Sequence, residues 1–259
     1  MGYNIRLNKD KNIGKVVYVV EGEKRELNLL SHIFARIFDY NVVIAPKKEV
    51  PYIKYESKKN KLSRVFLVSA YDSNIGFAAN QEGQDYLNKV YEGLYEKYRL
   101  ELSDAATYFI FDRDQQSNKS EEYRQIIQIL RNSRDNGMDA NGLLLESYPS
   151  IESYVKSCID DTVDEWEKSG KNLKPKVSGG QYQQDKIHDK QVIKACQNML
   201  SSIIKITDRE LEERDLDDFA EINMMLFDRE EDYFTQKELY RLLSLLSISF
   251  IDLGLIEIN

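Results

Sequence analysis

Cysteine is almost missing from this chain: Cys158 and Cys196 are the only two in 259 residues. Two isolated thiols make neither a disulfide framework nor the paired spacing of a zinc knuckle. Histidine is as scarce. His32 falls in an amphipathic stretch and His188 in a polar one, and neither has a partner at ligand spacing, so both are expected to be structural or exposed. Long apolar runs are missing too. The most apolar stretch, residues 242–256, carries serines, Asp252 and Gly254 and is short for a membrane span. The opening Met1-Gly2-Tyr3-Asn4-Ile5-Arg6 lacks an apolar signal core, and position 6 lacks the Ser or Thr of a myristoylation signal. A cytoplasmic protein with no membrane partner is the expectation. Positive charge is also in deficit: the net charge of −8 argues against uniform polyanion binding, while leaving room for local basic patches.

What is present suits a soluble α/β protein. Hydrophobic residues make up 42% of the chain, enough for a real core, and charged residues 31%. At roughly 100–200 residues per domain, the length fits one full domain plus an appended module. Lys15-Val16-Val17-Tyr18-Val19-Val20 is a continuous β-branched and aromatic run, as in a strand buried on both faces. It stops at Glu21-Gly22-Glu23, and residues 24–38 take up helical spacing, with Leu27, Leu30, Phe34 and Phe38 on one stripe beside Ile33 and Ile37. Further strands are expected at residues 41–45, 64–70, 107–111 and 142–146. Helices are expected at 80–102, with a tyrosine-bearing core stripe, and at 117–134.

From residue 147 onward helices are expected alone: 151–166, 187–206, 211–227 and 235–252. Thr235 and Glu238 match a capping box at the start of the last. Residues 173–189 read as a polar, lysine-bearing loop. Strands alternating with helices, then helices only, predict a mostly parallel sheet with flanking helices followed by a C-terminal helical appendage, divided as 1–150 and 151–259. Residues 47–64 stand apart. Seven basic residues against Glu49 and Glu56 leave a net +5, with Tyr52 and Tyr55 interleaved. This reads equally as a nucleic-acid path and as a solvated loop.

The stretch Tyr108-Phe109-Ile110-Phe111-Asp112-Arg113-Asp114 carries the most chemistry. Side chains alternate along a strand, so Asp112 and Asp114 share a face and can converge on one divalent cation. Alone, Asp-x-Asp is equally the polar turn that ends a core strand. In open α/β sheets, however, ligands gather at the carboxyl ends of the strands, and Glu21 ends an earlier one. Three carboxylates on one sheet edge call for a compensating cation or proton.

Val19-Val20-Glu21-Gly22 followed by Ile110-Phe111-Asp112-Arg113-Asp114 resembles the Toprim domain, a compact α/β fold with a parallel sheet. The resemblance covers roughly residues 13–150. Ser147-Tyr148-Pro149-Ser150-Ile151-Glu152 is similar to the Ser-x-Pro-x-x-Glu segment of RloB-like and AbiL-type standalone Toprim proteins, which also carry Phe-Asp-Arg-Asp. The chain departs from the RloB-like pattern at Tyr148 and Tyr154, and its Glu-Gly-Glu-Lys-Arg-Glu turn differs from Glu-Gly-x-Thr-Glu.

The resemblance, which extends to the overcoming-lysogenization-defect nucleases, implies a metal-dependent nuclease of bacterial anti-phage defence or abortive infection. Its substrate is DNA, RNA or tRNA, with a partner ATPase; a homodimer is compatible with it. It implies Mg2+ or Mn2+ held by Asp112 and Asp114. Glu21 is then a ligand or general acid/base, and Glu152 a ligand for a second metal, with Glu146 competing for that place. Lys186, or else Lys190, supplies positive charge to the transition state, against the reading of a solvated loop. Glu23 and Glu26 read as helix N-terminal charges. Two rivals remain. A haloacid-dehalogenase-type phosphotransferase also begins with Asp-x-Asp, but that family has Thr where this chain has Gln116. The other is a non-catalytic, partner-binding sensor subunit with a structural acidic cluster.

Overall fold

The computed structural model describes residues 3–22, 24–44, 52–69, 92–93, 95–96, 104–113, 120–134 and 142–258. Most of the helix expected over 80–102, the start of the one over 117–134, and Glu23, Lys47, Lys48 and Asp114 lie outside the described residues.

In chain order, β1 (Ile5–Leu7) precedes β2 (Lys15–Val20), whose β-branched run is buried from Val16 onward. Helix α1 (Arg25–His32) continues into a π-helical turn over Ile33–Ile37, and Leu29, Leu30, Ile33, Phe34 and Ile37 are buried. Next come β3 (Tyr40–Ile44), β4 (Tyr52–Ser57), β5 (Arg64–Ser69), β6 (Ala105–Asp112), α2 (Ser120–Ile129), β7 (Arg131–Asn132) and β8 (Gly142–Tyr148). Then follow α3 (Glu152–Ser157), β9 (Trp166–Glu167), α4 (Gly170–Lys176), α5 (Asp189–Thr207) and α6 (Ala220–Lys237). The chain closes with β10 (Tyr240–Arg241), β11 (Leu243–Ser244), α7 (Leu246–Asp252) and β12 (Ile256–Ile258). The architecture is mixed α/β, with a mostly parallel central sheet and flanking helices.

Two compact units share these elements: residues 12–110 with 115–144, and residues 1–11 with 111–114 and 145–259. In the first, β2 lies between β5 and β6, parallel to both, with Val16 level with Val65 and Ala106. Strand β4 runs antiparallel between β5 and β3. It was missed in the sequence because its lysines and tyrosines dominate a charged stretch, yet Tyr55 and Ser57 alternate into the interior. Tyr123, Ile126, Ile127 and Leu130 of the α2 region are buried, and the chain then turns to pair Arg131 with Leu143.

The second unit corrects the expected all-helical appendage. Within it, β11 pairs antiparallel with the end of β8, β10 with β9, and β12 with β1. The helix expected over 151–166 stops after Ser157. Its carbonyl ends are met from α5 instead: Asn198 Nδ2 donates to Ser157 O and Asp160 O, both at 2.8 Å, and Lys194 Nζ to Ile159 O. Overlapping the start of the stretch expected as loop, α4 forms with Ser169 as its cap, the Oγ accepting from Asn172 N at 3.3 Å, while Leu173 is buried. Thr235 and Glu238 make no capping box. The Thr235 hydroxyl donates to Glu231 O at 2.8 Å inside α6, and Glu238 ends that helix in the left-handed conformation, φ 55°. No helix among the described residues is long and apolar enough to cross a membrane. Cys158 and Cys196 are free and buried.

Gly142 opens β8 at φ +87°, where a Cβ would lie 2.7 Å from Phe109 Cε2 and 3.2 Å from Thr107 O. Gly142→Ala therefore combines backbone strain with a clash, and is expected to cost roughly 2–5 kcal/mol. Urea unfolding checks this; a loss under about 0.5 kcal/mol would contradict the packing.

Candidate functional site

Strands β2 and β6 pair in register up to Val20 and Ile110; β6 continues two residues further to Asp112, while β2 ends at Val20. Glu21 follows directly, half-exposed, its N–H donating to Ile110 O at 3.3 Å. Gly22 packs on Glu26, whose carboxylate a Cβ there would displace. Glu26 stands in the first turn of α1, as expected of a helix N-terminal charge, and is buried there at 8% exposure.

In the other unit, Asp112 ends β6 half-exposed. Its Oδ1 accepts a hydrogen bond from Ile151 N at 2.7 Å. Ile151 is the residue before α3, and Glu152 is the first residue of that helix, buried at its start. Two sequence motifs, Phe-Asp-Arg-Asp and Ser-Tyr-Pro-Ser-Ile-Glu, thus meet through a charge-assisted hydrogen bond. The second motif is itself tied down. Ser153 Oγ donates to Tyr148 O at 2.6 Å, Ser147 Oγ bonds Ser244 Oγ at 2.7 Å, and Arg113 N donates to Ser147 O at 2.9 Å.

The remaining candidates separate. Asp114 lies outside the described residues. Lys186 sits in an exposed 3-10 turn, Gln184–Lys186, 3.9 Å from its neighbour Asp185, which favours the solvated reading. Lys190 is exposed on the first turn of α5. His188 caps α5, its N–H donating to Gln191 Oε1 at 3.3 Å. In the basic stretch, Lys54 and Arg64 both meet Glu56, at 2.8 and 3.5 Å, and Lys58 pairs with Asp39. These pairs answer charges that a bound phosphate backbone would otherwise use.

Sequence reasoning missed a buried ionic cluster beside Asp112. Arg113 has no exposure at all. Its guanidinium grips Glu231 of α6 with Nε to Oε1 at 3.0 Å and Nη2 to Oε2 at 2.9 Å, and lies 5.4 Å from the ring of Phe227, one helical turn earlier. Tyr240 donates its hydroxyl to Glu231 Oε1 at 3.0 Å. Glu146, fully buried in β8, accepts from the Tyr148 hydroxyl at 3.1 Å on Oε2, while its Oε1 has no hydrogen-bond partner among the described residues. Burial pushes its carboxyl up to about 8; Arg113 and Tyr148 pull the other way without prevailing, and Glu231 adds to the rise. Burial likewise raises Glu230, against the pull of Arg241, whose N–H donates to Glu230 Oε2 at 2.9 Å. One signal was available: an arginine between two aspartates after a buried strand must point to the opposite face, where it needs a carboxylate.

Asp112 and Glu152 are hard oxygen donors, the chemistry that magnesium and manganese take, so the donor types fit such an ion. Among the described residues, no three His, Cys, Asp or Glu side chains converge as a metal site. Glu146, which competed with Glu152, belongs instead to the buried cluster. Comparison of the chain with protein-family models, with curated proteins and with solved structures finds no match.

The raised Glu146 carboxyl makes a pH prediction. Unfolded, it loses its proton near 4.5; folded, it keeps it to about 8. Its contribution to stability is therefore full below 4.5 and is lost as pH rises to about 8, at up to roughly 1.4 kcal/mol per unit. Glu146→Gln, a permanently neutral replacement, should match wild type at pH 4 and exceed it at pH 9 in denaturant unfolding. Parallel pH profiles for the two proteins would contradict this.

Proposed function

We propose that this chain is a divalent-metal-dependent nuclease of the Toprim type. Its substrates are phosphodiester bonds of DNA or RNA, tRNA included, in anti-phage defence alongside a partner ATPase. The observation that carries the reading is the hydrogen bond from Ile151 N to Asp112 Oδ1, which joins the acidic strand end to the segment leading into Glu152. Two motifs whose resemblance points to one chemistry are thereby in contact, although 39 residues apart. Glu21, directly after the carboxyl end of β2, is the third acidic residue that the resemblance brings to this chemistry.

In this reading Asp112 and Asp114 hold Mg2+ or Mn2+, which when bound polarises the phosphodiester and steadies the leaving oxygen. Glu21 holds metal or moves the proton of the attacking water. Glu152 supplies a further carboxylate, and the Ile151 N–H fixes the direction of Asp112. Lys186 is the weakest member, because it is exposed and beside its own aspartate.

The test uses purified protein with Mg2+ or Mn2+ and plasmid DNA, tRNA or total RNA. Asp112→Asn keeps an oxygen for the Ile151 N–H and removes the charge. It is expected to lower cleavage at least as much as the loss of an outer-shell partner, about 10–100-fold. Cleavage unchanged in Asp112→Asn/Asp114→Asn would overturn the site. Turnover of p-nitrophenyl phosphate lost in Asp112→Asn, without any nuclease activity, would favour the phosphotransferase instead.

A further inference from the structure

We propose that Arg113 is a positioning residue for Asp112, acting through its buried clamp on Glu231; this rests on the metal-dependent reading above. Consecutive residues of extended chain point to opposite faces. Asp112 is half-exposed and Arg113 wholly buried, in keeping with that alternation. The backbone between them is held at Arg113 N, which donates to Ser147 O at 2.9 Å, and the Asp112 carboxylate is held at 2.7 Å by Ile151 N. The guanidinium adds a third hold, against rotation of this strand end. Its planar fork meets both oxygens of Glu231, and Phe227 bounds one side. Glu231 is itself held by the Tyr240 hydroxyl.

Stability alone gives no reason for an ion pair here. Two desolvated charges cost several kcal/mol before their attraction is counted, and apolar residues of similar size often do as well or better. An apolar side chain would also suit the contact with Phe227. What it would lack is direction, which a two-point hydrogen-bonded fork supplies. The clamp therefore sets an angle at the residue before it, and that residue is Asp112.

Manganese affinity, read from the electron paramagnetic resonance signal of free Mn2+, tests this alongside the thermal midpoint. The proteins are wild type, Asp112→Asn, Arg113→Lys and Arg113→Met/Glu231→Met. Wild type should bind Mn2+ and Asp112→Asn should weaken it. The double variant should melt within a few degrees of wild type, yet bind Mn2+ about 10-fold more weakly. Arg113→Lys, which keeps the charge pair and loses the two-point fork, should fall between and serves as the test if the double variant does not fold. Affinity within twofold of wild type in either folded variant, with Asp112→Asn still impaired, would overturn the positioning role and leave the metal reading standing. Mn2+ binding that is absent in wild type, or equal in Asp112→Asn, would overturn both.

Discussion

A guanidinium cut off from water dictates much of its surroundings. Arg113 has no exposure, so it requires a carboxylate in bidentate geometry, and Glu231 on α6 meets it. The same face of α6 sets Phe227 against the guanidinium, and the Tyr240 hydroxyl donates to Glu231. The neighbouring Glu146 is left without a counter-charge of its own. Arg113 lowers its proton affinity, but not enough to offset burial, so the carboxyl stays neutral through most of the physiological range. One arginine and two glutamates thus divide into an ion pair and a protonated acid.

The same clamp bears on the chemistry proposed for the chain. Asp112 is the residue before Arg113, and its carboxylate is oriented by Ile151 on the segment that leads into α3. Under that proposal, a carboxylate already held by a hydrogen bond has less ordering left to lose when an ion arrives. Burial at Arg113 and partial exposure at Asp112 are two consequences of one strand alternation.

Much of the sheet was legible because buried strands announce themselves by continuous apolar runs. Strand β2 matched its expected bounds, and β3, β5, β6 and β8 matched to within one or two residues. Helix α5 held its expected place for the same reason, a long amphipathic period. Strand β4 did not, because alternation of Tyr55 and Ser57 with charged residues imitates a solvated stretch. The two-residue strands β9, β10 and β11 carry no periodicity and exist through their partners. The Thr235–Glu238 spacing misled because a four-residue pattern cannot tell a helix start from a helix end; the left-handed backbone at Glu238 decides it. At the candidate site, Asp112 and Glu152 were readable as motifs. The position of Arg113 between two aspartates hints at an inward arginine, but its partner was not legible, since Glu231 is 118 residues away and looks like an ordinary helix-surface charge.

Asp112 is proposed above as a ligand of a divalent-metal site. Crystals grown with saturating Mn2+, measured at the manganese absorption edge, test it most directly. An anomalous peak at bonding distance from an Asp112 carboxylate oxygen, about 2.1 Å as for a hard octahedral cation, is the predicted result. Manganese bound elsewhere on the protein, with no peak at Asp112, would contradict the account.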